Sequence, residues 1–278
     1  MIPVPFDYVR AASADAALSA LAEHGDEAKL MAGGHSLLPM MKLRLAYPSV
    51  IVDIGRLSDL SYINDAGDHL AIGALTRHRD VETSELVNEH APLLAKATSH
   101  VGDPQVRHRG TIGGSLAHAD AAADHPSALL ALDGSVVVAT ASGSERVIPA
   151  GELFVGFLES SLDPTEMITE VRIPKHTGLG WNFQKFNRRA QDWAIVGVSA
   201  QRTGDGDETR IALVNMHPTP VRAGAVEAAL AGGAGAAEAA AGAAEGMEPS
   251  SDLNATVEYR SHLARVLTRR ALEASGVG

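Results

Sequence analysis

The chain contains no cysteine among its 278 residues. This absence excludes disulfide bonds, thiolate zinc sites, cysteine nucleophiles and any iron–sulfur cluster held by this chain, because each of these needs a cysteine sulfur. An electron carrier in this protein would therefore be an organic group, or it would sit on another subunit.

Long apolar runs and clusters of positive charge are also missing. The apolar stretches are too short to cross a bilayer, and the N-terminal residues lack the charged-then-apolar order of a secretion signal. The formal net charge is −11 and the basic residues are scattered, so nucleic acid is not expected as a partner. We expect a cytoplasmic, soluble protein that would reach the inner face of the membrane only through its partners.

The sequence predicts short apolar strands and amphipathic helices over the first 177 residues. In the whole chain, 45% of the residues are hydrophobic. Residues 13–25 predict a helix that ends at Gly25, because apolar residues recur at helical spacing and glycine stops the pattern. We expect residues 1–57 to form one compact subdomain and residues 58–177 a second, followed by a linker.

Residues 178–278 predict a second domain of mixed structure. Three apolar segments at its start are typical of an antiparallel sheet. The segment 223–247 is nearly all Ala, Gly and Glu, which favours helix interrupted at its glycines. An amphipathic helix is predicted near the end, so the expected class of the chain is α+β.

Two stretches share the same order of residues. AGGHS, at residues 32–36, follows a short strand, and TIGGS, at residues 111–115, precedes an apolar stretch. Glycine lets the backbone approach a ligand and adopt positive φ, and successive N–H groups can then converge on an anion. One such turn alone is best explained as an ordinary tight turn. The pair favours a diphosphate held from two sides, and hence a dinucleotide.

Other nucleotide and metal signatures fit poorly. Neither glycine pair forms G-x-G-x-x-G, and no G-x-x-x-x-G-K-[ST] occurs, so the doubly wound nucleotide fold and the P-loop are both poorly supported. HADAAADH, at residues 118–125, has the composition of a metal site, but no H-E-x-x-H occurs. Helix capping and loop hydrogen bonds explain such a short pattern better.

Three motifs resemble the FAD-binding medium subunits of molybdenum hydroxylases. They are AGGHSLLPMMK, DPQVRHRGTIGGSLAHADAAAD and KFNRRAQDWAIVGV, in this order, and the similarity extends to EYRSHLARVLTRRALE near the C-terminus. Within this family the chain most resembles the aerobic carbon monoxide dehydrogenase type. The resemblance implies a two-subdomain FAD-binding domain of the vanillyl-alcohol-oxidase (PCMH) type at residues 1–177 and a flavoprotein C-terminal domain at residues 178–278.

The resemblance also implies a noncovalent FAD site. The first glycine turn would lie on one side of the diphosphate and the second on the other. Asp124 would hydrogen-bond a polar portion of the flavin nucleotide, with Lys185 nearby, and Trp193 would lie beside the isoalloxazine. The implied cofactor-binding set is Met31, Ala32, Gly33, Gly34, His35, Ser36, Leu37, Val101, Thr111, Ile112, Gly113, Gly114, Ser115, Ala119, Asp124, Lys185, Asp192 and Trp193.

Several of these positions have alternative interpretations. Ser115 stands where many relatives have Asn, and Ala121 where proline is common. Trp193 is also explained as a core aromatic, and Asp124 as a helix cap that is compatible with a ligand role. His35 matches a histidine that some oxidases of the superfamily bond covalently to flavin. The noncovalent mode of medium subunits assigns it to the diphosphate instead.

By resemblance, the chain is an electron relay with no catalytic residue and no metal ligand of its own. A large subunit with a molybdenum cofactor would oxidise the substrate, and a small subunit with two [2Fe–2S] clusters would pass electrons to FAD here. An external acceptor such as a quinone would take them, and the assembly would be a dimer of heterotrimers. Carbon monoxide is the expected substrate. The alternatives are an N-heterocycle or aldehyde hydroxylase of the same family, a stand-alone flavin oxidase and a non-catalytic assembly subunit.

Overall fold

The computed structural model describes residues 2–204 and 208–278. Among these residues, no helix is both long and apolar enough to span a membrane. Three sheets and a small hairpin are packed with helices in an α+β arrangement, so the expected class is confirmed.

The N-terminal part is a three-stranded parallel sheet in the order β1–β3–β2. Its elements are β1 (Asp7–Arg10), α1 (Ala14–His24), β2 (Ala28–Met31), α2 (Leu37–Leu43) and β3 (Val50–Asp53). Parallel neighbours need crossover connections, which α1 and α2 provide. Ser13 caps α1 by accepting a hydrogen bond from the Ala16 N–H at 3.1 Å, and the helix ends at Gly25, as predicted.

The middle part is a five-stranded antiparallel sheet in the order β4–β5–β10–β6–β7, with a small β8–β9 hairpin. Its strands are β4 (Ile63–Asp65), β5 (His69–Gly73), β6 (Ser135–Ala139), β7 (Glu145–Pro149), β8 (Phe154–Gly156), β9 (Glu159–Ser160) and β10 (Met167–Pro174). Its helices are α3 (His78–Thr83), α4 (Glu85–His90), α5 (Pro92–Ser99), α6 (Pro104–Arg109), α7 (Ile112–His118), α8 (Asp124–Ala131) and α9 (Ala150–Leu153).

The C-terminal part contains a four-stranded antiparallel sheet where three strands were expected. Its elements are β11 (Trp181–Phe186), β12 (Val196–Thr203), β13 (Glu208–Val214), β14 (Val221–Arg222), α10 (Gly224–Ala231), α11 (Ala236–Ala241) and α12 (Val257–Ala274). The additional strand has only two residues, too few for an alternating pattern to reveal it. The Ala-rich segment forms two helices separated by glycines, as predicted.

Three hydrophobic clusters form the core, and two of them cross the expected boundaries. The N-terminal cluster includes Ala139 and Met167 from the middle part. The middle cluster includes Phe183 and Ala212 from the C-terminal part, whereas the third cluster lies entirely beyond residue 194. The boundaries near residues 57 and 177 therefore stay predictions.

Candidate functional site

The two glycine turns lie against each other. A Cβ placed on Gly33 would come within 3.0 Å of the Arg109 carbonyl oxygen, and one placed on Gly114 would lie 3.9 Å from the Ala32 Cβ. Arg109 stands two residues before Thr111, where the second turn begins. Gly33 is needed because two backbones meet at this point. The turns, which are distant in sequence, thus form one junction.

The first turn presents free backbone donors. Gly34 has a φ of +74°, which glycine adopts without strain. Within the described part of the chain, the N–H groups of residues 33–37 have no hydrogen-bond acceptor. The exposed Ser36 side chain does not cap α2. Successive unpaired N–H groups on a tight turn are suited to binding an anion.

The second turn differs from the expectation that both turns offer free donors. Gly113 and Gly114 lie in the first turn of α7 itself, and Thr111 is its N-cap. The Gly113 N–H donates to the Ala74 carbonyl at 2.9 Å, and the Gly114 N–H donates to Thr111 Oγ1 at 3.3 Å. These donors are already used within the chain. The second turn would therefore contact a ligand through its side chains and through close approach of its backbone, rather than through free backbone N–H groups.

Two arginines, Arg77 and Arg109, lie at the junction of the two turns. Arg77 Nη1 donates to the Arg109 carbonyl at 2.5 Å and Nη2 to the Gly55 carbonyl at 3.1 Å, which braces the loops beside both turns. Among the described residues, neither Arg77 nor Arg109 forms an ion pair with a carboxylate. Partial burial, and then the charge of Arg109, lower the pKa of His35. The guanidinium of Arg77 is half-buried and positively charged, so an anionic ligand beside it would stabilise it.

Asp124 and Lys185 form a buried ion pair. Lys185 Nζ lies 2.8 Å from Asp124 Oδ2, with side chains 2% and 4% exposed, and it also donates to the His100 carbonyl at 2.9 Å. Burial raises the pKa of Asp124 to about 6, although the charge of Lys185 opposes the shift. Asp124 Oδ1 has no hydrogen-bond partner within the described residues. A buried carboxylate oxygen without a hydrogen-bond partner can accept a hydrogen bond from a ligand.

A cleft of about 510 Å³ lies between the middle of the HADAAADH segment and the C-terminal part. Ala121 and Ala122 line one side, and Asp192 and Trp193, in the loop before β12, line the other. The Trp193 residue is 69% exposed, so the interpretation as a core aromatic is wrong. The Asn215 N–H donates to the Ala121 carbonyl at 2.8 Å and fastens the turn to the C-terminal part.

The remaining predicted residues border these three places. Met31 ends β2 and Leu37 begins α2, on either side of the first turn. Val101 follows His100, whose carbonyl binds Lys185. Ala119 ends α7 in a left-handed conformation, with a φ of 54°, and is fully buried. These residues would shape the site through backbone and apolar surface.

Sequence reasoning missed the arginines and the buried groups beneath the second turn. Arg109 stands two residues before the TIGGS motif, so its position was a usable signal. Arg77 follows β5 in a stretch with no motif, and its role depends on contacts 22 and 32 residues away. Thr98 and His125 lie beneath Ser115. Thr98 had no sequence signal, and His125 was noted only as the last residue of HADAAADH.

The HADAAADH segment forms local hydrogen bonds. Asp120 Oδ1 accepts from the Ala122 N–H at 2.9 Å. Among the described residues, no group of three or more His, Asp or Glu side chains is placed to hold a metal ion. The free N–H groups, the unpaired arginines and the orphaned carboxylate oxygen instead fit an elongated ligand with an anionic middle and hydrogen-bond donors, as FAD has.

Two family models together match most of the chain. The FAD binding domain in molybdopterin dehydrogenase matches residues 4–176, and the CO dehydrogenase flavoprotein C-terminal domain matches residues 181–275. These matches agree with the order of motifs along the sequence.

Individual relatives are similar over the full length. The chain is 38% identical to the carbon monoxide dehydrogenase medium chain of Hydrogenophaga pseudoflava, over 99% of this chain and 98% of the relative. It is 41% identical to the 6-hydroxypseudooxynicotine dehydrogenase complex subunit alpha of Paenarthrobacter nicotinovorans, over 98% and 95%. A chain of the H. pseudoflava carbon monoxide dehydrogenase that lacks the Mo-pyranopterin moiety of the molybdenum cofactor matches at a TM-score of 0.95 and 40% identity, over 99% and 98%. The chain belongs to the family of FAD-binding medium subunits of molybdenum hydroxylases.

Proposed function

We propose that this chain holds FAD noncovalently and relays electrons within a molybdenum-dependent carbon monoxide dehydrogenase. The observation that carries the FAD site is the row of free N–H groups at residues 33–37 beside Arg77 and Arg109. Among the described residues, these N–H groups have no acceptor and the two arginines form no ion pair, so a diphosphate bound there would be neutralised.

Each place in the site has its own part in holding the cofactor. The first turn and the arginines would bind the diphosphate, and Asp124 Oδ1 would accept a hydrogen bond from the flavin nucleotide. Trp193 would shield one face of the ring system, since its indole is exposed in the cleft. When bound, FAD supplies the ability to take up electrons singly and release them in pairs.

The remaining redox groups would lie on partner subunits. With no cysteine, this chain cannot hold an iron–sulfur cluster through thiolates. A small subunit with [2Fe–2S] clusters would deliver electrons, and a large subunit with the molybdenum cofactor would oxidise the substrate. We propose a dimer of such heterotrimers and an external acceptor such as a quinone. Relatives named as medium chains have nearly the same length, which supports a subunit over a stand-alone oxidase.

The substrate proposal has one competitor with specific support. Carbon monoxide is supported by the H. pseudoflava medium chain and by the match to its solved structure. The higher identity of 41% is to a subunit of a dehydrogenase complex for 6-hydroxypseudooxynicotine, which favours an organic substrate. The substrate would bind on the large subunit, so residues of the large subunit would determine whether carbon monoxide or an organic molecule is oxidised.

Co-expression of this chain with the large and small partner subunits tests the proposal. The purified complex should show a flavin absorption band that is bleached anaerobically by carbon monoxide and restored by an added quinone. Acid precipitation should leave the yellow colour in the supernatant, because the cofactor is not covalently attached. A complex without flavin would overturn the FAD site. Bleaching by an N-heterocycle or aldehyde, and not by carbon monoxide, would replace the substrate proposal alone.

A further inference from the structure

A line of three side chains lies beneath the second glycine turn. Thr98 Oγ1 of α5 lies 3.1 Å from His125 Nε2 of α8, and His125 Nδ1 lies 3.2 Å from Ser115 Oγ of α7. Thr98 and His125 are buried, whereas Ser115 is half-buried. The line therefore leads from the core to the candidate site.

The direction of these hydrogen bonds is set at Thr98. Its hydroxyl also lies 2.7 Å from the Leu94 carbonyl oxygen, which can only accept. This length is typical of an O–H···O bond, so the single hydroxyl proton of Thr98 is donated to Leu94. The Thr98 oxygen is then left to accept, and His125 must donate to it from Nε2.

His125 is neutral and therefore has one ring proton. Complete burial, and then the charge of Lys185, lower the pKa of His125 to about 4. The buried His78 stacks on it, with ring centroids 4.4 Å apart. With the proton on Nε2, Nδ1 is an acceptor. The Ser115 hydroxyl must then donate inward, to His125.

We propose that this line of hydrogen bonds makes Ser115 an acceptor toward FAD, with His125 as the positioning residue. Ionised phosphate oxygens have no proton to donate, so Ser115 cannot bond the diphosphate in this state. Its partner is an O–H or N–H group of the flavin nucleotide, such as a hydroxyl of the ribityl chain. The inference rests on the proposed function, and it changes the assignment implied by family resemblance, in which Ser115 lies against the diphosphate.

Nitrogen NMR of the full chain with FAD bound, labelled in histidine, tests the direction of the bonds. The His125 signals, identified by their loss in His125→Asn, should show the proton on Nε2. Thr98→Ser keeps the hydroxyl and should retain this state. Thr98→Val removes the acceptor for Nε2–H and should move the proton to Nδ1, which would turn Ser115 outward as a donor.

Titration with FAD tests the consequence for the site. Ser115→Ala should weaken FAD binding roughly threefold to tenfold, as expected for one lost hydrogen bond, and Thr98→Val should weaken it similarly. Thr98→Ser should bind as the wild type does.

A wild-type His125 with its proton on Nδ1 would overturn the inference, as would unchanged FAD affinity in Ser115→Ala. If Thr98→Val fails to fold, the wild-type and Thr98→Ser spectra still decide the direction. A wild-type chain that binds no FAD would contradict the proposed function instead, so the two failures are distinguishable.

Discussion

Gly33 packs directly on the backbone of Arg109, with no room for a side chain between them. The atoms that a Cβ would meet belong to the main chain, so no rotamer change can make space. This contact joins the two turns, and its geometry determines how far apart they lie.

Gly33→Ala is expected to force the turns apart. Overpacking at a backbone contact should cost about 1–3 kcal/mol of unfolding free energy and should also abolish retention of FAD. Urea unfolding and the flavin absorbance of the purified protein measure the two effects. Gly151→Ala is the matched control, since nothing lies within 4 Å of its Cβ position, and it should be neutral or slightly stabilising. Full FAD occupancy in Gly33→Ala would contradict the role given to the junction.

Arg77→Gln is expected to weaken binding of FAD but not of riboflavin, which has no phosphate. Loss of a charge-assisted contact and of the brace to Gly55 and Arg109 should lower FAD affinity about tenfold to a hundredfold. Calorimetric titration with both ligands measures the difference, and added salt should weaken the wild type more than the variant. Arg79→Gln, an exposed change two residues away, should have no effect. Equal loss of both ligands would show that Arg77 acts only on the fold.

Lys185→Met is expected to destabilise the protein in a pH-dependent way. The change leaves the Asp124 carboxylate buried and unpaired. This should lower the free energy of unfolding by about 3–5 kcal/mol at pH 8. Burial already raises the pKa of Asp124 to about 6, and loss of the lysine raises it further. The carboxyl can then be protonated at pH 5, so the cost should be smaller there.

Urea unfolding of the cofactor-free chain at pH 5 and pH 8 measures this dependence. Lys175→Met serves as the control, because Lys175 pairs with Asp65, whose side chain is 44% exposed. That change should cost less than about 1 kcal/mol at either pH. A cost for Lys185→Met that grows toward acid would reverse the sign of the expected linkage.

Trp193→Ala is expected to change the flavin without changing the fold. The side chain is exposed, so the unfolding free energy should stay within about 0.5 kcal/mol. Loss of the aromatic face should shift the flavin absorption band and raise its fluorescence, and Trp193→Phe should restore part of both. Tyr47→Ala, at another exposed aromatic, should leave the spectra unchanged. Identical spectra in Trp193→Ala would remove Trp193 from the flavin site.

Features with a local signal could be predicted from the sequence. Ser13 and Gly25 bound α1 as capping chemistry predicts, and the glycines after α10 break the Ala-rich segment. The two glycine turns could also be located, because each places a glycine pair and a serine beside an apolar segment. These features depend on neighbours a few residues away.

Features that depend on distant contacts could not be predicted in this way. The Gly113 N–H is used by the Ala74 carbonyl, and only the folded chain brings the two together. The braces from Arg77 and the tautomer at His125 are likewise set by partners from other elements. The sequence therefore located the two turns, whereas which of their N–H groups are free to bind a ligand depends on the folded chain.

Phe183 and Ala212 belong to the hydrophobic cluster of the preceding part, although the family models divide the chain before them. Cutting the chain at that division would expose the apolar surface that these residues cover, and neither half should then be stable or soluble alone. We therefore expect the two halves to unfold in one cooperative transition, so heat or denaturant should melt the whole protein at once.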